Sequence, residues 1–152
     1  MKDTHTHVTL ALGANIHSPY TNIQHALEAL KKSTQVYNLE VANIYRTSPV
    51  GDIPQPDFFN TCCRLETPLT CQKFQVLCQQ IEKSIGKGLK EKMGPRPIDI
   101  DLLFFGEETH TDPQLTIPHP RWKERLFVLI PLRDLYQSIG SYDLDQLIKQ
   151  AK

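Results

Sequence analysis

Two aspartates one residue apart, Asp99 and Asp101, stand in the stretch Gly94-Pro95-Arg96-Pro97-Ile98-Asp99-Ile100-Asp101-Leu102-Leu103-Phe104-Phe105. The stretch opens as a Gly-Pro loop and runs into hydrophobic residues of strand character. Successive side chains of a strand point to opposite faces, so the two carboxylates share one face, about 7 Å apart along the strand. Ile98, Ile100, Leu102 and Phe104 then point the other way, into a core, while Leu103 and Phe105 continue the aspartate face as apolar residues. Two like charges beside apolar neighbours are costly to desolvate unless something neutralises them. A hard cation does so, because carboxylate oxygens suit Mg²⁺. From this stretch alone a simpler alternative stays open: Asp99 pairs with Arg96 and Asp101 faces solvent.

The whole chain limits which functions are reasonable. Its 152 residues suffice for one domain with a real core. Lys and Arg number 17, as do Asp and Glu. Zero formal charge argues against a general nucleic-acid or membrane-surface role. No apolar run reaches transmembrane length, and residues 1–7 lack the hydrophobic core of a signal peptide. A cytoplasmic protein is expected, with residues 1–7 as a disordered leader. The four cysteines, Cys62, Cys63, Cys71 and Cys78, form no C-x-x-C pair. Buried reduced thiols are expected rather than a structural zinc site. Cys62 and Cys63 should fall on opposite faces of a strand.

The elements that must position the aspartates follow in order. Val8–Leu12 is a first strand, ended by Gly13-Ala14-Asn15. Ser18 is read as the N-cap of a helix with Pro19 in its first turn and Ile23, Ala26, Leu27 and Leu30 as its buried stripe. Residues 36–46 are read as one strand with Tyr37, Leu39, Val41 and Tyr45 on one face. Residues 47–57 hold three prolines and a glycine, so they form a loop of the kind that carries binding residues. Residues 58–66 are a third strand. Thr70 caps a second helix with Phe74, Leu77, Cys78, Ile81 and Ile85 inward, and Gly86 stops it. A lysine-rich loop and the aspartate strand come next, then a short hairpin reaching Thr116. Ile117-Pro118-His119-Pro120 is a rigid bend. Residues 122–136 are helical, interrupted or kinked at Pro131, and residues 143–149 close as a short helix. The order β-α-β-β-α-β with a mostly helical tail predicts a single α+β domain over residues 1–152. Its expected form is a ferredoxin-like antiparallel sheet with helices packed on it.

Gly94-Pro95-Arg96-Pro97-Ile98-Asp99-Ile100-Asp101-Leu102-Leu103 satisfies every position of G-P-R-x-x-D-hydrophobic-D-hydrophobic-hydrophobic. That pattern is the signature of the 6-hydroxymethyl-7,8-dihydropterin pyrophosphokinase family of folate biosynthesis, which the chain therefore resembles. Four further segments resemble the family in collinear order: Gly13-Ala14-Asn15, residues 45–51, Asp57-Phe58-Phe59-Asn60, and residues 115–129 with Pro118-His119 and Arg125-Leu126-Phe127. One such motif is weak evidence; five in order are strong.

The resemblance implies transfer of pyrophosphate from ATP to the hydroxymethyl oxygen of the dihydropterin, releasing AMP. It implies two Mg²⁺ ions on Asp99 and Asp101, and phosphate contacts from Arg96, Lys87, Lys92, His119 and Arg125. Gln79, Thr116 and the backbone of Leu102 match nucleotide-binding positions. Phe58 and Phe127 match two stacking aromatics, and Asn60 the residue that reads the pterin edge, since an amide presents donor and acceptor together. Thr47, Ser48 and Val50 match the loop that completes the pocket. Small molecules are the expected partners, and a monomer the expected state. The chain departs from the family at Met93, where tryptophan is common, at Lys87, Lys90 and Lys92, where arginines are common, and at Gln114 and Pro120. These changes leave the metal and pterin positions intact and fall on the nucleotide side. Two alternatives follow. A homologue of weakened activity would bind both ligands without releasing AMP. A ferredoxin-like RNA-binding module would take single-stranded RNA, but the chain lacks the aromatic RNA-binding element of those domains.

Overall fold

Alternation along two central strands decides which side of the sheet each helix covers. In β1 (Thr6–Ala14), Val8, Leu10, Leu12 and Ala14 are buried on one face. In β4 (Phe58–Thr67), Cys63 and Leu65 join them, while Cys62 looks the opposite way. The computed structural model describes residues 4–49, 51–52, 54–86 and 97–151. Its main sheet has the order β2 (Tyr37–Val41), β4, β1, β5 (Asp99–Phe105), with β3 (Tyr45–Thr47) also paired to β4. Every pairing in it is antiparallel. Among the described residues the fold is thus a mixed α/β arrangement of an antiparallel sheet and four α-helices.

Helices α1 (Pro19–Lys32) and α2 (Cys71–Gly86) cover one face, burying Ile23, Ala26, Leu30, Phe74, Cys78 and Ile81 against it. The other face carries α3 (Leu126–Leu135) and α4 (Leu144–Ala151), whose Leu129, Leu132, Leu144 and Ile148 pack with Trp122, Cys62 and Leu103. The described residues also form two small hairpins: β6 (His110–Asp112) with β7 (Leu115–Ile117), and β8 (Ser138–Ile139) with β9 (Tyr142–Asp143). No helix among the described residues is long and apolar enough to cross a membrane.

Several local expectations change. The first strand begins at Thr6, with Thr6 opposite Thr67 and His7 opposite Glu66, so these two residues belong to the sheet and not to a disordered leader. Ser18 precedes α1 as expected, but at φ 63° and without a side-chain cap; Asn22 N–H reaches its carbonyl at 2.9 Å instead. Thr70 does cap α2, its hydroxyl accepting from Lys73 N–H at 3.3 Å.

The segment 36–46 is two strands, not one. Asn38 adopts φ 56° and the register shifts between Tyr37 and Glu40, which breaks the simple alternation and leaves Tyr37 and Val41 exposed. The gap between β2 and β3 is held by the buried Thr61 hydroxyl, which donates to the carbonyls of Ala42 and Asn43.

A bulge also divides the aspartate strand. Thr9 faces Phe104 and Leu10 faces Leu102, so Leu103 is an extra residue. Past it the alternation inverts: Phe104 lies on the aspartate face, packed on Trp122, and Phe105 on the helix α2 face, reversing the expectation for both. In the tail the helix runs through Pro131; the break falls at Arg125, between a 3₁₀ turn (Trp122–Glu124) and α3.

All four cysteines are reduced and buried, Cys62 and Cys63 on opposite faces as alternation requires. Burial pushes the Cys62, Cys63 and Cys78 thiols far up, and burial together with Glu108 raises Cys71 to about 11. Thiolate is the reactive form. The native, metal-free protein is therefore expected to react negligibly with a thiol reagent near neutral pH. Four equivalents should appear on unfolding in denaturant. Rapid labelling of native protein would show that these thiols are accessible.

Candidate active site

The end of the sheet where α3 begins carries the chemistry. Gly13 lies opposite Asn60 on one side and Asp99 on the other, and Ala11 lies opposite Asp101. Odd positions of β1, even positions of β4 and the two aspartates thus share one face. The result is a cavity of about 420 Å³ lined by Gly13, Thr47, Ser48, Gln55, Phe58, Asn60, Asp99, Asp101, His119, Arg125 and Phe127, together with Ala11, Leu12 and Val128. The volume is that of a site for a small organic ligand.

One end is aromatic and amide-lined. Asn60 is buried, and its Nδ2 donates to Thr47 Oγ1 at 3.1 Å. That bond fixes which way the amide faces. A Cβ at position 13 would stand 2.7 Å from Asn60 Oδ1, closer than real side chains approach, so glycine there is what lets the amide occupy its place. Phe58 opens β4 opposite Thr47, and Phe127 lies in the first turn of α3 under the Arg125 guanidinium, 5.6 Å from its ring centre. Strand β3 is tied to α3 by Asp134, which accepts from Tyr45 O–H at 2.7 Å and Asn43 N–H at 3.1 Å. The Asp134 carboxylate raises the Tyr45 phenol, so this tie persists through neutral pH.

The other end is charged. Asp99 and Asp101 are half-buried on β5. Between them the Ile100 N–H donates to Glu82 Oε2 of α2 at 2.6 Å, which anchors the strand from its far side. Two carboxylates on one cavity wall offer hard oxygen donors of the kind Mg²⁺ takes, and the basic groups Arg125 and His119 line the same space. His119 Nδ1 accepts from Arg121 N–H at 3.3 Å. Burial, then the Arg125 and Arg121 charges, lower the His119 pKa; Asp99 opposes this more weakly. A histidine depressed in the native state resists a proton that the unfolded chain accepts first. Stability is therefore fully present above the ordinary imidazole range and declines as pH falls through that range toward the folded pKa. A pH series of denaturation midpoints should show this decline, flattened in His119→Asn. Identical profiles for the two proteins would place the decline elsewhere.

Of the expected site residues, Thr47, Ser48, Phe58, Asn60, Asp99, Asp101, His119, Arg125 and Phe127 meet at this cavity. Gln79 and Thr116 are exposed and do not line it, and Leu102 packs toward the α2 face. Val50, Lys87, Lys92 and Arg96 lie outside the described residues, as does Met93. Gln55 was missed. Its Oε1 accepts at 2.8 Å from Nδ2 of the buried Asn15, which also donates to Pro56 O at 3.1 Å. The available signal was a lone polar residue between Pro54 and Pro56, rigidly presented and needing a partner.

Comparisons with known proteins agree with this geometry. Residues 9–137 match the family described as 7,8-dihydro-6-hydroxymethylpterin-pyrophosphokinase (HPPK). A Bacillus subtilis protein named 2-amino-4-hydroxy-6-hydroxymethyldihydropteridine pyrophosphokinase is 38% identical over 130 residues, 86% of this chain and 78% of that protein. A Haemophilus influenzae protein of the same name is 31% identical over 144 residues, 93% of this chain and 90% of its own. Among solved structures, wild-type Plasmodium falciparum HPPK-DHPS with pteroate superimposes with TM-score 0.70 over 99% of this chain, at 16% identity. This chain spans 43% of that longer one, and at that identity the likeness concerns the fold. With the family matched over most of its length, this chain belongs to the 7,8-dihydro-6-hydroxymethylpterin-pyrophosphokinase family.

Proposed function

We propose that this folate-biosynthesis pyrophosphokinase transfers the β,γ-pyrophosphoryl group of ATP to 6-hydroxymethyl-7,8-dihydropterin in the cavity just described, as a Mg²⁺-dependent single-domain monomer. The observation that carries the reading is the union, in one cavity, of two carboxylates with an aromatic and amide pocket. The pterin is flat and rich in donors and acceptors. Phe58 and Phe127 supply its stacking faces and Asn60 its amide edge, oriented by Thr47. Ser48 lines that end, and Val50 is assigned to it by the family resemblance alone. The strand order fits the ferredoxin-like reading, with β2 and β3 together acting as its second strand.

In the reaction the hydroxymethyl oxygen attacks the β-phosphorus, the bond from that phosphorus to the α,β-bridging oxygen breaks, AMP leaves, and the hydroxyl proton passes to solvent. Such a transfer asks the protein chiefly for alignment and for stabilisation of negative charge. Asp99 and Asp101 would hold two Mg²⁺ ions, which when bound neutralise the triphosphate and align its phosphates. Arg125 and His119 face the same space and are assigned to phosphate oxygens, His119 as a neutral imidazole donating from Nε2 because Nδ1 already accepts. Arg96 is assigned to the phosphates by the family signature, Lys87 and Lys92 by their alignment with the basic loop that precedes it, and Gln79, Leu102 and Thr116 to the nucleoside beyond the cavity.

The test is product analysis after mixing protein, Mg²⁺, ATP and the dihydropterin alcohol. AMP and pterin diphosphate in equal amounts are expected. Folded protein that binds both ligands yet forms neither product would make this a binding homologue instead.

A further inference from the structure

A second group of metal-ligating side chains lies at the opposite end of β5. Cys71, Glu108 and His110 come from three separate segments: the first turn of α2, the turn after β5, and the first residue of β6. One ligand atom from each lies within 4.8 Å of the other two. Asp99 opens β5 and Glu108 lies three residues past its end, so the two groups are separated by roughly 20 Å of strand.

We propose that Cys71, Glu108 and His110 form a binding site for one borderline-soft divalent cation of the Zn²⁺ class, distinct from the carboxylate site in the cavity. The donor set decides the class. A sulfur and an imidazole disfavour Mg²⁺ and Ca²⁺ and favour Zn²⁺ or Co²⁺. Once the cation displaces the thiol proton to solvent, thiolate and carboxylate together balance its charge, with the imidazole neutral. Three protein donors leave one tetrahedral position for water.

The donors are held before any ion arrives. Cys71 is 1% exposed and sits at the start of a helix whose Phe74 and Cys78 are buried. Glu108 N–H donates to Phe105 O at 3.0 Å, which fixes the turn. His110 lies opposite Ile117 in the hairpin, and Gln75 Nε2 of α2 donates to Gln114 O at the hairpin's tip. Glu108 and His110 also pair with each other at 2.8 Å. That contact alone explains two of the three residues, but not why the buried thiol faces them. Glu108 is about half exposed and gives the ion its way in. A bound cation would pin the β6–β7 hairpin, which contains Thr116 and leads on to His119, onto α2.

The probe is Co²⁺ added to reduced, metal-free protein in buffer containing excess Mg²⁺. One equivalent should produce a thiolate-to-metal charge-transfer band in the near ultraviolet and visible bands of tetrahedral intensity, both removed by Zn²⁺. The bands should persist in Asp99→Ala and Asp101→Ala, which separates this site from the catalytic one. They should vanish in Cys71→Ser and in His110→Ala; the latter changes a residue near the surface and keeps the test valid if the buried substitution disturbs folding. No charge-transfer band in the wild type, or an unchanged band in His110→Ala, overturns the proposal.

Discussion

Asp99→Ala and Asp101→Ala are each expected to lower kcat for pyrophosphoryl transfer by at least ~10³-fold, because each removes a carboxylate assigned above to charge stabilisation of the transferring group. The fold should survive. Both side chains line an open cavity, and their backbones pair with Gly13 and Ala11 through the sheet ladder, which side-chain truncation leaves in place. Circular dichroism and the denaturation midpoint should therefore change little while AMP production collapses. The split matters, since a structural role would move both together. If either variant retained near-normal turnover with ATP and Mg²⁺, that carboxylate would not be a metal ligand. Asp99→Asn and Asp101→Asn refine the result: they keep the volume and remove the charge, so they should be almost as inactive as the alanine forms.

The second large effect is expected at the end of the cavity assigned to the pterin. Asn60→Ala should weaken dihydropterin binding by ~10²-fold or more, because a site built to hydrogen-bond a polar edge discriminates strongly once those partners are gone. Asn60 is buried and its amide is oriented by Thr47. Binding of a Mg-ATP analogue should change little. Gly13→Ala should produce a related loss from the other side, because its methyl group would lie 2.7 Å from Asn60 Oδ1 and force the amide to move. Equilibrium titration with the pterin reads both variants. Pterin affinity in Asn60→Ala within about twofold of the wild type would remove Asn60 from the binding pocket.

Much of this site was legible from period-two alternation. It put Asp99 and Asp101 on one face, Phe58 and Asn60 on one face, and Cys62 and Cys63 on opposite faces, and the strands realise all three. The stripe of α2 and the Thr70 cap were equally readable, because they depend on residues within a few positions of each other. What failed was set at longer range. The bulge at Leu103 arises from how β5 registers on β1, and it reversed the faces of Phe104 and Phe105. The break between β2 and β3 depends on Thr61, a strand partner some 18 residues away in sequence from Asn43. Ser18 looked like a cap by type, yet its left-handed backbone directs the side chain elsewhere. The Cys71, Glu108 and His110 cluster has no motif spacing at all, since it forms only when the hairpin folds back onto α2. Gln55 and Asn15 likewise meet across 40 residues.

The fate of a label in ATP tests the assigned reaction most directly. ATP radiolabelled at the β-phosphorus is incubated with the dihydropterin alcohol, Mg²⁺ and the wild-type protein, and in parallel with Asp99→Ala. The cavity as assigned predicts that the label passes into the pterin product and that the AMP formed carries none, with no transfer in the variant. Label retained in ADP beside a pterin monophosphate, or released as inorganic pyrophosphate while the pterin alcohol stays unchanged, would contradict it.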